Sequence, residues 1–335
     1  MSVLINALKI IFLLGFLVFI HEGGHFLAAR LFKVKVEEFS IGFGPKIFTK
    51  KGKETVYRIG CIPFGGYVKM TGETERSEEE RAFNNAKLWH RIVIVAAGAI
   101  VNIIFAILMY FIISCIFVSN ASTTISEILP EAKENLAELQ VGDKILEINN
   151  TKIRLKSDIS KALRDYTDGE INIIVERNNE NIEVRGTPIK YNEMYILGIQ
   201  VTELENVTIG DRLYYAYWQT IEFSNSMVYS LKMLFTGNVG LDQMTGPIGI
   251  SKIVSKQNSI YSFLQLLCLV SLSLGVTNLL PIPALDGGRI LLLIIEGIRG
   301  KALKEEVELG IQSIGFLLLI MISIYVSYQD VLRIF

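Results

Sequence analysis

Four long apolar runs alternate with polar segments along the chain, at residues 1–32, 92–118, 263–298 and 311–328. About 20 apolar residues are enough for a helix to cross a bilayer. The pattern therefore predicts a multi-pass α-helical membrane protein with about four transmembrane helices. A cleaved signal peptide is the competing interpretation of the first run. Lys9 is its only early positive charge, however, and HEGGH is a poor cleavage site.

The third run is longer than one straight span requires, and it contains NLLPIPALDGG. We expect Pro281, Pro283, Gly287 and Gly288 to break the helix near its middle. Non-helical backbone at membrane depth is tolerated only where protein buries it or water reaches it. The break is therefore a candidate functional site.

Charge separates the two polar segments between the spans. Residues 30–91 hold 13 Lys/Arg and 8 Asp/Glu, whereas residues 119–262 hold 14 Lys/Arg and 19 Asp/Glu. The positive-inside rule predicts that the loops 33–91 and 299–310 are cytoplasmic. Both termini and the acidic segment are then expected outside.

Both polar segments contain β-prone sequence. Residues 36–70 read as a β-hairpin joined by KKGKE, either on the surface or dipping toward the membrane beside the site. Residues 119–210 predict an inserted α+β domain. Its predicted elements are a hairpin turning at Asn149–Asn150 with Ile145 and Ile148 inward, a second hairpin turning at 178–181, and a helix capped by Ser157 or Asp158 and ending before Gly169. The linker 211–262 begins with an amphipathic stretch that could lie on the membrane surface.

Composition agrees with a membrane protein and excludes other classes. Half of the residues are hydrophobic, and the mean hydropathy is +0.40. The net charge of −1 provides no basic surface for nucleic acid. The three cysteines, Cys61, Cys115 and Cys268, are far apart and predict no disulfide framework.

The first run contains the main chemical motif, His21-Glu22-Gly23-Gly24-His25, which matches H-E-x-x-H. Positions i and i+4 share a helix face, so both imidazoles can bind one metal ion. Glu22 could then take a proton from a metal-bound water. The alternative is a packed core histidine pair. Ionisable groups are costly inside a span, which favours a metal site.

A catalytic zinc site usually has three protein ligands. Asp286 in the broken third run is the stronger candidate for the third. Glu37 and Glu38 lie in the basic loop, and Glu296 lies at the end of the run. The alternative is that Asp286 only caps a helix beginning at Gly287.

Two asparagines interrupt the apolar runs. Asn278 could donate from its amide to a substrate carbonyl, or it could satisfy backbone groups freed by the break. Asn102 could act similarly, but we expect helix packing through Gly98 to be the main feature of AAGAIVN.

Together, HEGGH in a first span, a PDZ-like domain and NLLPIPALDGGRI in a late span resemble the site-2 protease family, in particular its bacterial RseP-type intramembrane zinc metalloproteases. FSIGFGP, IPFGGYVKM and TGPIGI are also similar to segments of that family, so the resemblance covers nearly the whole chain. QVGDKILEINN resembles a strand of a circularly permuted PDZ domain. Relatives can carry two PDZ units where only one fits here, and they often have proline at the position of Ala99.

The resemblance implies one Zn²⁺ bound by His21, His25 and Asp286, with Glu22 as general base. It also implies that Asn278 helps to hold substrate and that the hairpin pairs with extended substrate as an added strand. The expected substrate-binding residues are Asn278, Gly42, Phe43, Gly44, Gly65 and Gly66.

The resemblance further implies regulated intramembrane proteolysis in the bacterial cell membrane. Expected partners are the lipid bilayer, single-span substrates such as anti-sigma factors and remnant signal peptides, and peptide C-termini at the PDZ-like domain. The other function classes are a membrane-anchored PDZ adaptor with a structural zinc site and a metal transporter. The transporter is disfavoured because no acidic relay crosses the spans.

Overall fold

The computed structural model describes residues 2–117, 121–154, 156–164, 166–191, 194–203, 208–238, 240 and 244–333. The chain divides into two compact units, residues 1–113 with 216–335 and residues 114–215. The predicted boundary between the second span and the inserted domain, at 118–119, lies outside the described residues.

Eight α-helices occur in the described part of the chain. In order they are α1 (Ser2–Leu31), α2 (Leu88–Ile116), α3 (Lys156–Ala162), α4 (Ile209–Phe235), α5 (Pro247–Ser255), α6 (Ile260–Asn278), α7 (Asp286–Arg299) and α8 (Glu305–Leu332). Among these, α1, α2, α6 and α8 are long and apolar enough to cross a membrane. The chain is therefore a multi-pass membrane protein.

Several helices extend beyond the apolar runs that predicted them. α2 begins at Leu88 and α8 at Glu305, both earlier than expected. The first turn of α8 contains three glutamates, which favour a helix N-terminus. Hydrophobicity marks only the part of a helix that suits lipid, so polar end turns are missed. The predicted linker 211–262 also contains helical residues, in α4 and α5.

The third apolar run is divided into α6 and α7 by residues 279–285. Pro281 and Pro283 lie in this break, as expected, but Gly287 and Gly288 lie in the first turn of α7. Their expected role as helix breakers is therefore wrong. A Cβ atom on Gly288 would come within 2.7–2.9 Å of backbone atoms of Ile282 and Pro283, so close packing explains this glycine.

The break packs against α8. Ala284 has a φ of 72°, a left-handed conformation that is uncommon for alanine. Its backbone N–H donates a hydrogen bond of 2.5 Å to Oε1 of Gln312. A Cβ atom on Gly315 would lie 2.6 Å from the backbone carbonyl group of Pro283. Contacts from α8 therefore fix the path of the chain just before Asp286.

A long hairpin follows α1 and consists of β1 (Val36–Lys51) and β2 (Val56–Met70), which pair antiparallel. Phe39 of β1 packs edge-on against Phe26 of α1, with ring centroids 5.4 Å apart. The buried half of β1 joins a core with α1, α2 and α7. Its distal half is exposed.

The second unit is built on short antiparallel strands around its own apolar core. Its main sheet has the order β10-β3-β4-β6-β7, with β5 paired to β4, and a separate ladder joins β8 to β9. The strands are β3 (Ala121–Ile128), β4 (Lys144–Ile148), β5 (Thr151–Lys152), β6 (Ile171–Arg177), β7 (Glu180–Gly186), β8 (Ile189–Tyr191), β9 (Met194–Ile196) and β10 (Ile199–Glu203). The expected α+β character is confirmed.

Asparagine pairs form both hairpin turns of this unit. Asn149 and Asn150 have φ values of 44° and 66°, and Asn178 and Asn179 have values of 53° and 67°. Two successive residues at positive φ are characteristic of type I′ turns. The second turn is shorter than predicted, because β7 already begins at Glu180.

α3 begins at Lys156, before both residues proposed as its cap. Asp158 instead accepts a hydrogen bond of 3.0 Å from the backbone N–H of Arg154, just ahead of the helix. Its carboxylate therefore satisfies a backbone donor from inside the first turn. The helix α3 ends at Ala162, which is before Gly169 as predicted.

Candidate metal centre

His21 and His25 occupy one face of α1, as their spacing requires. Their Nε2 atoms are 3.3 Å apart, and their rings are nearly perpendicular. The side chains are only 13% and 11% exposed. Two imidazole nitrogens thus meet at one buried point.

Asp286, the first residue of α7, completes this group. Its Oδ2 atom lies 3.3 Å from Nε2 of His21 and 3.5 Å from Nε2 of His25. Zinc–ligand bonds of 2.0–2.1 Å in a tetrahedral site put ligand atoms about 3.3–3.4 Å apart. The triangle formed by these three atoms therefore has the size that a zinc ion requires.

The chemistry of the three atoms also fits a cation. Oδ2 of Asp286 is buried and has no hydrogen-bond donor among the described residues. An unpaired buried carboxylate is costly. It faces two imidazole nitrogens, which can bind a metal ion through their lone pairs. No other group of three such ligand atoms is found in the described residues.

Glycines make room for the two rings. A Cβ atom on Gly98 of α2 would lie 2.8 Å from Cε1 of His25 and 2.9 Å from Cε1 of His21. Within HEGGH itself, a Cβ atom on Gly24 would lie 2.6 Å from the carbonyl oxygen of Ala97, whereas one on Gly23 would meet nothing within 4 Å. Gly24 and Gly98 therefore allow α1 and α2 to approach closely at the site.

A cavity of about 190 Å³ opens on this group. Glu22 lines it together with both histidines and Asp286. The hairpin contributes Gly66 and Tyr67 to its wall. A Cβ atom on Gly66 would lie 3.1 Å from Cγ of Glu22, so this strand runs directly beside the glutamate.

The remaining predicted substrate-binding residues lie at different distances from the cavity. Gly65 precedes Gly66 in β2, and the ring of Phe43 stacks on Tyr67 with centroids 6.3 Å apart. Gly42 and Gly44, both at positive φ, flank Phe43 in β1 and lie beside Cys61 and Ile62. Asn278 ends α6, half-buried, and does not line this cavity as the described residues define it.

Two charged residues of the cavity wall, Glu73 and Arg289, were not predicted from the sequence. They form an ion pair, and Arg289 also donates a hydrogen bond of 3.1 Å to the backbone carbonyl of Glu73. Arg289 lies three residues after Asp286, and this helical spacing could have indicated that both side chains lie on the same side of the helix. Glu73 is one of eight acids in its segment, and nothing local distinguishes it.

Two histidines and one carboxylate beside a glutamate form a ligand set typical of a catalytic zinc site in a peptidase, and here both histidines lie on a helix able to cross a membrane. The chain belongs to peptidase family M50, whose model matches residues 9–322. It is 36% identical to a zinc metalloprotease of Clostridium acetobutylicum, with 97% of each chain covered. It is 35% identical to another of Fusobacterium nucleatum, with 96% of this chain and 97% of the relative covered. It is also 28% identical to the regulator of sigma-W protease RasP of Bacillus subtilis, with 98% of this chain and 99% of the relative covered.

The chain is thus a zinc metallopeptidase of the site-2 type, as the resemblance implied. Its membership in a peptidase family argues against both alternative classes, the adaptor and the transporter. The cofactor of this class is Zn²⁺, and the three facing atoms of His21, His25 and Asp286 fit that ion in distance and in chemistry.

Proposed function

We propose that this enzyme cleaves single-span membrane proteins within or near the bilayer, in regulated intramembrane proteolysis. The observation that carries the proposal is the convergence of His21, His25 and Asp286 on one point. All three lie on or beside apolar helices. A peptidase centre built on or beside such helices suits a substrate that is itself embedded in lipid.

In this proposal, the Nε2 atoms of both histidines and Oδ2 of Asp286 hold the zinc ion. Bound zinc acts as a Lewis acid that polarises a carbonyl and makes a water molecule nucleophilic near neutral pH. Glu22 faces the same cavity, and its carboxylate accepts the proton released when water attacks the peptide carbon. The same carboxyl group then returns the proton to the leaving amine.

The hairpin is the proposed substrate-binding element. Gly66 lines the cavity beside Glu22, so a peptide lying along this part of β2 has its backbone close to the general base. Added-strand pairing uses main-chain hydrogen bonds and therefore accepts many sequences. We assign Gly42, Phe43, Gly44, Gly65 and Gly66 to this function. We also assign to Asn278 an amide contact with the substrate backbone.

The proposed substrates are anti-sigma factors and remnant signal peptides. One relative is named as a regulator of sigma-W protease, which supports the first class. For the second unit, residues 114–215, we propose a PDZ-like fold outside the cell membrane that binds peptide C-termini. Its antiparallel sheet and short α3 helix support this assignment. The basic loops 33–91 and 299–310 favour a cytoplasmic location for those segments and an outer location for both termini.

The test is cleavage of a purified single-span substrate by the full-length enzyme in proteoliposomes. We expect wild-type enzyme to cleave, a zinc chelator to stop cleavage, and Glu22→Gln to retain zinc while losing at least 100-fold in rate. The matched control is Glu131→Gln, which removes an exposed carboxylate of the second unit and is expected to cleave normally. Undiminished cleavage by Glu22→Gln would refute the assigned mechanism.

A further inference from the structure

The Nδ1 atoms of the two histidines face away from Asp286, and each has a different partner. Nδ1 of His25 lies 2.9 Å from the backbone carbonyl oxygen of Ile94. A carbonyl can only accept, so Nδ1 must carry the hydrogen. In the neutral ring, Nε2 of His25 then keeps its lone pair, which faces Asp286.

His21 has a side-chain partner at the equivalent position. Its Nδ1 atom lies 3.3 Å from the carboxamide of Asn102, through Nδ2. Asn102 is fully buried, and its Oδ1 atom has no partner among the described residues. A half-turn of the carboxamide exchanges its oxygen and nitrogen, which are nearly equal in size. Asn102 can therefore present an acceptor to this ring.

Only one of the two carboxamide orientations gives His21 the same tautomer as His25, with the hydrogen on Nδ1 and the lone pair on Nε2. If Nδ2 of Asn102 donates, Nδ1 of His21 accepts, and the hydrogen on Nε2 points toward Asp286 and His25. If Oδ1 accepts, the hydrogen resides on Nδ1, and Nε2 has a lone pair available for a metal ion. Zinc bound through Nε2 requires the second arrangement.

The partners of both rings lie on one stripe of α2. Ile94, Gly98 and Asn102 are spaced four residues apart and therefore share a face. Ile94 contacts His25, Gly98 lies beneath both rings, and Asn102 contacts His21. This stripe of α2 runs alongside the histidine face of α1.

We propose that Asn102 is a positioning residue for the zinc site. Its carboxamide oxygen accepts the Nδ1 hydrogen of His21, which selects the tautomer and fixes the ring plane. The inference rests on the proposed ligand set. It assigns Asn102 a role that apolar helix packing alone does not require. Such outer partners of histidine ligands typically change metal affinity by about 10- to 100-fold.

The experiment measures zinc affinity of the full-length enzyme in detergent by competition with a chelator. Asn102→Leu keeps the approximate volume but has no acceptor, and we expect about 10- to 100-fold weaker binding. Asn102→Asp retains acceptor oxygens and is expected to bind at least as tightly as wild type. The control is Ser271→Ala, which removes the 2.9 Å hydrogen bond from Ser271 to the backbone carbonyl of Asn102 and should leave affinity unchanged.

A double-mutant cycle separates positioning from a general packing defect. In a His21→Ala background, Asn102→Leu should weaken zinc binding no further, whereas in a His25→Ala background it should still do so. Additive losses with His21→Ala, wild-type affinity in Asn102→Leu, or equal losses in the Leu and Asp variants would each overturn the inference. Wild-type zinc affinity in both histidine variants would instead refute the proposed ligand set itself.

Discussion

Glu73 and Arg289 form an ion pair that joins the loop after β2 to the first turn of α7, beside Asp286. Their side chains are 17% and 23% exposed, so solvent screens the pair only partly. Arg289 also lies over the ring of Phe83, 5.0 Å from its centroid. The pair therefore links the hairpin side of the cavity to the helix that supplies the carboxylate.

Removing either charge of this pair should destabilise the first unit. Glu73→Gln leaves the Arg289 guanidinium without its counter-ion, at an expected cost of about 1–3 kcal/mol in the free energy of unfolding. Glu73→Gln combined with Arg289→Gln should cost less than the sum of the single changes. Thermal unfolding in detergent measures both effects.

The control for that experiment is Glu79→Gln, which removes the Lys35–Glu79 ion pair. The side chain of Lys35 is 35% exposed and that of Glu79 is 51% exposed, and pairs of this kind contribute about 0–1 kcal/mol. If Glu73→Gln changed the unfolding temperature no more than Glu79→Gln, the pair would not be a structural link.

The two glycines of HEGGH should respond in opposite ways to alanine. Gly24→Ala forces a methyl group against the backbone of Ala97, and overpacking of this kind costs about 1–3 kcal/mol. Gly23→Ala enters open space and should stabilise the helix by about 0.5–1 kcal/mol. We expect zinc content and activity to fall only in Gly24→Ala. Equal behaviour of the two variants would contradict the close α1–α2 packing described above.

The second unit should lose stability in acid through Asp143. Burial alone would raise the pKa of Asp143. The Arg177 guanidinium, at 2.6 and 2.7 Å, and the backbone N–H of Gln140 overcome this effect and lower the pKa below its usual value. A carboxyl group whose pKa is lowered by folding stabilises the fold at every pH above the pKa that it has in the unfolded chain, which is about 3.9 for aspartate. This stabilisation is lost as the pH falls through the lower folded value.

Asp143→Asn should therefore destabilise the second unit at pH 7 and flatten its stability profile below about pH 4. Limited proteolysis of the full-length protein, with cleavage followed within residues 114–215, measures this dependence. Glu131→Gln, at an exposed position, serves as the control and should keep the wild-type profile. A variant profile as steep as that of wild type would show that another group causes the acid sensitivity.

Substrate helices should be cleaved faster when they unwind easily. A peptide bond inside a helix is shielded by its own hydrogen bonds, and the proposed added-strand pairing on the hairpin requires extended substrate backbone. Replacing glycines near the cleavage site by leucine favours the helix by about 0.8–1 kcal/mol per residue and should slow cleavage. Unchanged rates across a graded series of such substrates would remove unwinding from the proposed mechanism.

Local patterns in the sequence were sufficient to predict the ligand candidates. His21 and His25 follow from helical spacing, and Asp286 stands out because an acid beside a proline break in an apolar run is rare. The hairpin of residues 36–70 was equally visible, because its β-prone runs and its polar turn are contained within one stretch of chain.

Contacts that arise only in the folded chain could not be predicted in the same way. The carbonyl of Ile94 carries no side-chain signal, and its contact with His25 depends on how α1 and α2 pack. Glu73 and Arg289 are 216 residues apart, so their pairing is invisible to any local pattern. Asn102 was noticed as a polar interruption, but its partner depends on which stripe of α2 faces the histidines.

The packing of the break against α8 has a consequence for truncated forms of the enzyme. No predicted zinc ligand lies on this last helix, yet Gln312 and Gly315 set the backbone path that leads into Asp286. Deleting the final span would therefore do more than weaken anchorage in lipid. It would also remove the contacts that hold the backbone before Asp286, so the Asp286 carboxylate would no longer have a fixed position. A shortened protein that still inserts and still displays HEGGH should fail to retain its metal.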